Sequence, residues 1–159
     1  SLRSRSMPPI QTTVLGILER DGEHLLQRLT DPGEGDFYRP IGGGVEFGET
    51  SAEALEREFR EELDVAVTAG PTLGTIENRF TWDGEPDHEF VVLRAAEFDD
   101  ESLYDREEFA GVDAGGAVEY DAGWFDLETV QNGSEPLYPE RLVALLDGDG
   151  SGAGHVTGP

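Results

Sequence analysis

A chain of 159 residues is long enough for one domain with a proper core and short for two. Its formal net charge of −24 comes from 35 acidic residues against 11 basic ones, all Arg, a field that repels nucleic-acid backbone and anionic membrane at ordinary ionic strength. The absence of cysteine excludes disulfides and thiolate metal sites, and no apolar run or signal-peptide core directs the chain to a membrane, so the expected compartment is cytoplasmic.

Residues 1–9 (SLRSRSMPP) lack apolar periodicity and are set aside as a disordered leader or added residues, with Met7 a candidate natural start. Gln11 to Glu19 reads as a strand, Asp21-Gly22 as a hairpin turn, and His24 to Leu29 as the returning strand. Residues 30–37 (TDPGEGDF) read as a loop that leads through Tyr38 to Ile41 into three glycines. A helix follows from Ser51 to about Leu63. Val65 to Val67 starts an extended segment, and strands at Thr72 to Phe80 and His88 to Phe98 flank a turn-rich connection. The run from Glu97 to Asp121 holds ten acidic residues and one Arg, so it reads as a mobile or surface segment with one helical turn near Tyr104 to Phe109. Trp124 to Leu127 is a short apolar strand or turn, and Pro139 opens a closing helix carrying Leu142, Val143, Leu145 and Leu146. The pattern predicts an α+β domain over residues 10–147, with helices packed on a sheet, and a flexible tail over 148–159.

The stretch Pro40 to Val65 is where chemistry concentrates. Thr50 and Glu53 form a capping box, and Ala52, Leu55, Phe59 and Leu63 gather on one apolar face at 100° per residue. Glu58, Glu61 and Glu62, at i, i+3 and i+4, share one side of a turn on the flank of that face. Carboxylates so placed repel unless a cation sits between them, and two hard cations, Mg²⁺ or Mn²⁺, suit oxygen donors. A Glu49–Arg57 ion pair would tie the loop to the helix.

In register, Gly43, Glu49, Arg57-Glu58, Phe59, Glu61-Glu62 and Val65 resemble the signature of the Nudix hydrolases, with only Asp64 standing where the family usually has glycine. Aspartate tolerates the left-handed backbone such a position takes, so the departure is expected to cost little stability and to preserve catalysis. The resemblance implies a Nudix fold, a mixed β-sheet sandwiched between helices with the catalytic loop-helix at residues 43–65. It implies an enzyme in which Glu58, Glu61 and Glu62 ligate Mg²⁺ or Mn²⁺ and water attacks the pyrophosphate linkage of a nucleoside diphosphate derivative, whether a nucleotide, a sugar nucleotide or a dinucleoside polyphosphate. Glu49 and Arg57 belong to the same catalytic set, and Gly42, Gly43 and Gly44 would bring the loop close to cations and diphosphate.

A further base or ligand outside the signature is expected from Glu77, Glu89 or Glu119, with Glu46 a neighbour of the glycines and His88 structural or substrate-facing. Arg39, Arg79 and Phe80, together with Glu89, are the candidates for phosphate and base contacts. The other class to weigh is a Nudix-fold module that binds a nucleotide without cleaving it; the complete set of carboxylates argues against it. The expected partner is a small-molecule nucleotide, not nucleic acid or membrane, and a homodimer is compatible with the sequence. An acidic, lysine-free composition also resembles proteins of extreme halophiles, pointing to a halophilic archaeon.

Overall fold

The computed structural model describes residues 9–113 and 116–147, and the backbone of 154–157. In chain order the strands are β1 (Gln11–Ile17), β2 (Glu19–Arg20), β3 (Glu23–Asp31), β4 (Gly35–Arg39) and β5 (Ile41–Gly44). The helix α1 (Ser51–Leu63) is followed by β6 (Val67–Trp82), β7 (Glu85–Phe98), a 3₁₀ turn at Glu101–Asp105, β8 (Glu108–Asp113) and β9 (Val118–Phe125). Two short helices, α2 (Leu127–Gln131) and α3 (Leu142–Leu146), precede β10 (Gly154–Thr157).

Among the described residues, one sheet runs β10-β6-β7-β1-β5, and a second runs β2-β3-β9-β8 with β4 alongside β3. The first sheet is mixed. β7 lies parallel to β1, with Val14 opposite Val92 and Leu15 opposite Leu93, whereas β5 lies antiparallel to β1. Successive strand residues point to opposite faces, and β1 uses both. Val14 joins the cluster of Leu55, Phe59 and Phe98 under α1, while Leu15 joins Ile76, Leu93, Leu127 and Leu142 under α2 and α3. The central sheet is therefore covered by α1 on one side and by α2 and α3 on the other. Phe59 is fully buried over β1 at Gly16, where a Cβ would lie 2.9 Å from its ring. Burial of a side chain of that size contributes roughly 1.5–3 kcal/mol.

Several expectations need correction. The strand foreseen from Gln11 to Glu19 breaks at Leu18 into β1 and β2, and the loop foreseen over residues 30–37 shrinks to Pro32–Glu34, because Asp31 and Gly35 close the β3–β4 ladder. Asp31 is buried there, its Oδ1 accepting the backbone N–H groups of Gly33 and Asp83, so a turn-forming residue serves inside a strand end. The acidic run from Glu97 to Asp121 is not a loose surface segment over its described residues. Its helical turn sits earlier, at Glu101–Asp105, and β8 and β9 bring Phe109 and Tyr120 into the core. α3 begins after Pro139, at Leu142. Within the stretch foreseen as a tail, Gly154–Thr157 pairs in parallel with β6, and residues 1–8 of the foreseen leader lie outside the described residues. Among the described residues, no helix is long and apolar enough to cross a membrane.

Candidate functional site

The glycines at the end of β5 allow two close approaches. A Cβ at residue 42 would collide with the Val14 carbonyl oxygen, and one at residue 43 would occupy the space of the Glu58 carboxyl. Gly43 is thus the surface on which Glu58 rests. The chain then turns into α1 through a capping box: the Thr50 hydroxyl accepts the Glu53 N–H at 3.1 Å, and the Glu53 carboxylate accepts the Thr50 N–H at 2.9 Å. The helix ends on Asp64 in the left-handed conformation, φ 55° and ψ 42°, with its N–H donated to the Arg60 carbonyl. Its buried face carries Ala54, Leu55, Phe59, Glu62 and Leu63. Ala54 takes the place expected for Ala52, which is half-buried, and a carboxylate joins the apolar stripe.

Arg57 ties the loop to the helix. Its Nε and Nη2 donate to the two oxygens of Glu49 at 2.7 and 2.9 Å, and Nη2 also donates to the Gly44 carbonyl at 2.9 Å. On the other side, Nη1 donates to Glu58 at 2.7 Å and Glu61 at 3.1 Å. The Glu46 carboxylate stands further off, at 3.9 Å. These bonds hold the Arg57 guanidinium firmly charged, its pKa raised chiefly by Glu49 against the opposing effect of burial.

Glu62 departs most from the sequence picture. Its side chain turns inward, only 5% exposed, and Oε1 accepts the Tyr120 hydroxyl at 2.8 Å. Oε2 is buried with no donor group facing it, and the adjacent Glu58 carboxyl can bond to Glu62 only through a shared proton. Burial, followed by the neighbouring Glu58 carboxyl, pushes the Glu62 pKa well above the usual carboxylate range, and the Tyr120 bond only partly offsets this. Tyr120 is raised in turn, by burial and then by the negative charge of Glu62. Glu62, Tyr120 and the paired Gly111 line a cleft of about 640 Å³ between the end of α1 and the β8–β9 hairpin, with Glu61 and Glu119 also on its wall.

Among the described residues, no three His, Asp or Glu side chains are gathered as a ready metal cage. The expected trio is divided: Glu61 is on Arg57 at the surface, Glu62 is inside, and Glu58 stands between them. The other candidates separate by strand face. Glu89 is buried on β7, accepting from Asn78 at 3.4 Å and standing 3.7 Å from an Arg39 guanidinium nitrogen. Arg79 neighbours Asn78 but is exposed, opposite half-buried His88 in the β6–β7 register; Phe80 is half-buried and Glu77 exposed. Arg39, Asn78 and Glu89 therefore form one polar group that Arg79 does not join. Tyr120 and Gly111 were not foreseen as site residues. The alternation of Tyr120, Ala122 and Trp124 is a strand signal that could have placed Tyr120 on a buried face, but no local signal points to Gly111 or to the Glu62 bond.

Residues 7–146 match the family model described as the NUDIX domain. The chain belongs to the Nudix family. Its fold is the Nudix fold, a mixed α/β arrangement of curled sheet flanked by helices, and it resembles the MutT NUDIX hydrolase of Burkholderia pseudomallei with a TM-score of 0.62 and 25% identity, over 87% of this chain and 97% of that one. The E. coli ORF135 protein aligns with a TM-score of 0.55 and 25% identity, over 89% of each chain. In sequence, the CTP pyrophosphohydrolase of E. coli strain K12 is 43% identical over 58 residues, which are 36% of this chain and 43% of that protein. The match thus spans less than half the length of this curated relative. Within the Nudix signature, Asp64 takes the left-handed turn expected of the usual glycine, so the substitution leaves the helix terminus in place.

Proposed function

We propose that this Nudix chain is a divalent-cation-dependent hydrolase that cleaves the pyrophosphate linkage of a nucleoside diphosphate derivative by attack of water. The observation that carries the reading is Glu62: a buried carboxyl with one oxygen that no donor serves, beside Glu58, which itself rests on Gly43. An orphaned buried oxygen costs about 1–3 kcal/mol, and since Arg57 serves Glu58 while Glu62 is held by a neutral Tyr120 hydroxyl, ionising the second carboxyl calls for a further positive charge. The donor set fits Mg²⁺ or Mn²⁺, which take oxygen ligands. Glu58 and Glu62 would hold the cation, with Glu61 at the open edge. A bound cation would screen the diphosphate oxygens and lower the pKa of a ligated water.

The chain's own residues do the rest. Arg57 fixes Glu58 and the Gly44–Glu49 loop in one arrangement, so the carboxylates do not reorganise as charge develops. The absent Cβ at Gly43 leaves room for Glu58 against the loop. In this reading Arg39 would meet a phosphate oxygen, and Glu89 and Asn78, which it neighbours, would accept from and donate to a base or sugar. The name of the curated relative favours a nucleotide, a nucleoside triphosphate included. The net charge of −24 fits a concentrated-salt interior such as a halophile's cytoplasm and disfavours nucleic acid as substrate.

The test is a panel of nucleoside triphosphates, sugar nucleotides and dinucleoside polyphosphates, assayed with Mg²⁺ or Mn²⁺ in dilute and in molar KCl, with both products identified. We expect strictly divalent-dependent release of a nucleoside monophosphate and its complementary product, sustained in molar salt. Binding of a nucleotide without cleavage would instead establish a non-catalytic module.

A further inference from the structure

We propose that Tyr120, 58 residues from its partner and outside the Nudix signature, is a positioning residue for the cation site: it holds one oxygen of Glu62 so that the other, with Glu58, is the oxygen offered to a divalent ion. The proposal rests on the reading of Glu58 and Glu62 as ligands.

Three observations carry it. The Tyr120 hydroxyl donates to Glu62 Oε1 at 2.8 Å, and both residues are only 5% exposed, so bulk water does not compete for that bond. Oε2 of the same carboxyl is buried with no donor facing it unless a proton is shared with the adjacent Glu58 carboxyl, the arrangement a cation would replace. One oxygen is fixed and one is left over, which distinguishes this carboxyl from a merely satisfied buried acid. The third observation concerns the ring. Tyr120 stands directly opposite Gly111 in the β8–β9 register, and a Cβ at residue 111 would overlap the hydroxyl end of the ring. The strand pair is built to let the phenol lie across it, and so to reach the last turn of α1.

A Glu side chain with three rotatable bonds has many ways to miss a cation, and a single donor on Oε1 removes most of them. Partners that orient ligating groups in this way commonly change metal affinity by about 10–100-fold when removed. A tyrosine that merely fills space and satisfies a carboxyl would alter stability but leave ion affinity unchanged.

The experiment is a double-mutant cycle on the metal-free full chain, with Mn²⁺ binding followed by the spin-resonance signal of the free ion and no substrate present. The proteins are wild type, Tyr120→Phe, Glu62→Gln and the double variant, each checked for cooperative unfolding. We expect Tyr120→Phe to weaken Mn²⁺ binding by about 10-fold, Glu62→Gln to weaken it at least as much, and the double variant to bind no worse than Glu62→Gln alone. If Glu62→Gln binds like wild type, the ligand assignment itself fails. If Glu62→Gln weakens binding and Tyr120→Phe does not, or if the two effects simply add, the role given to Tyr120 is overturned while the site stands. Gly111→Ala provides a second route, since it displaces the ring and keeps the phenol. Weakened Mn²⁺ binding in that variant supports the proposal and unchanged binding contradicts it.

Discussion

Glu49 shares one guanidinium with Glu58 and Glu61 of α1, and its protonation reports whether that link is intact. The Arg57 hydrogen bonds, followed by the Glu46 backbone N–H, lower the Glu49 pKa from 4.5 to about 2. A depressed folded-state value means the pair's contribution to stability is fully present above 4.5 and is lost as pH falls through about 2. In metal-free protein, a carboxyl NMR titration should therefore find Glu49 charged until close to pH 2. Arg57→Lys, which cannot reproduce the two-pronged geometry, should move that midpoint up toward 4.5. A wild-type midpoint already near 4.5 would show that the loop and helix are not joined as described. The Glu49–Arg57 pair was legible from sequence because spacing alone brings the two together. The Tyr120–Glu62 bond was not, because nothing local to either residue indicates a partner 58 positions away.

At the scale of elements, α1 was legible in both bounds. Thr50 and Glu53 mark its start by side-chain chemistry and its apolar residues recur at helical period, so local information suffices. The same periodicity could not say that Glu62 belongs to the buried face, since only the arrival of β9 gives its carboxyl a partner. β8 and β9 were hidden for a related reason. Their outward positions, such as Glu119 and Asp121, are charged heavily enough that alternation with Tyr120, Ala122 and Trp124 reads as acidic surface. The helix terminus offers a sharp test. Asp64 has φ 55°, a backbone region that disfavours side chains with a Cβ, and it adds negative charge at the helix C-terminus. Asp64→Gly removes both penalties, against the greater unfolded-chain entropy of glycine. We expect a net stabilisation of about 0.5 kcal/mol in denaturant unfolding, with turnover unchanged. Destabilisation would mean that the Asp64 side chain is itself a needed contact.

For the whole molecule, the arrangement that creates the site depends on pairings far apart in sequence. β7 lies parallel to β1, β10 adds to β6, and the β8–β9 hairpin closes against α1. None of these leaves a periodic trace within its own segment, which is why the class of fold was readable and its sheet order was not. The charge acts at this scale as well. With 11 Arg against 35 acidic residues, cations are shared, as Arg20 is between Glu23 and Glu107 and Arg28 between Asp36 and Glu135. Against that uniformly acidic background Glu62 is singled out, among the carboxylates of the described residues, by a buried oxygen that no donor serves. The direct measurement is the turnover of Glu62→Gln at saturating Mg²⁺, on the best substrate of wild type and with the fold confirmed by its unfolding transition. A fall of at least about 100-fold is predicted, because the substitution removes a charge proposed to hold the cation at the reacting phosphate. Turnover near that of wild type would contradict the central claim.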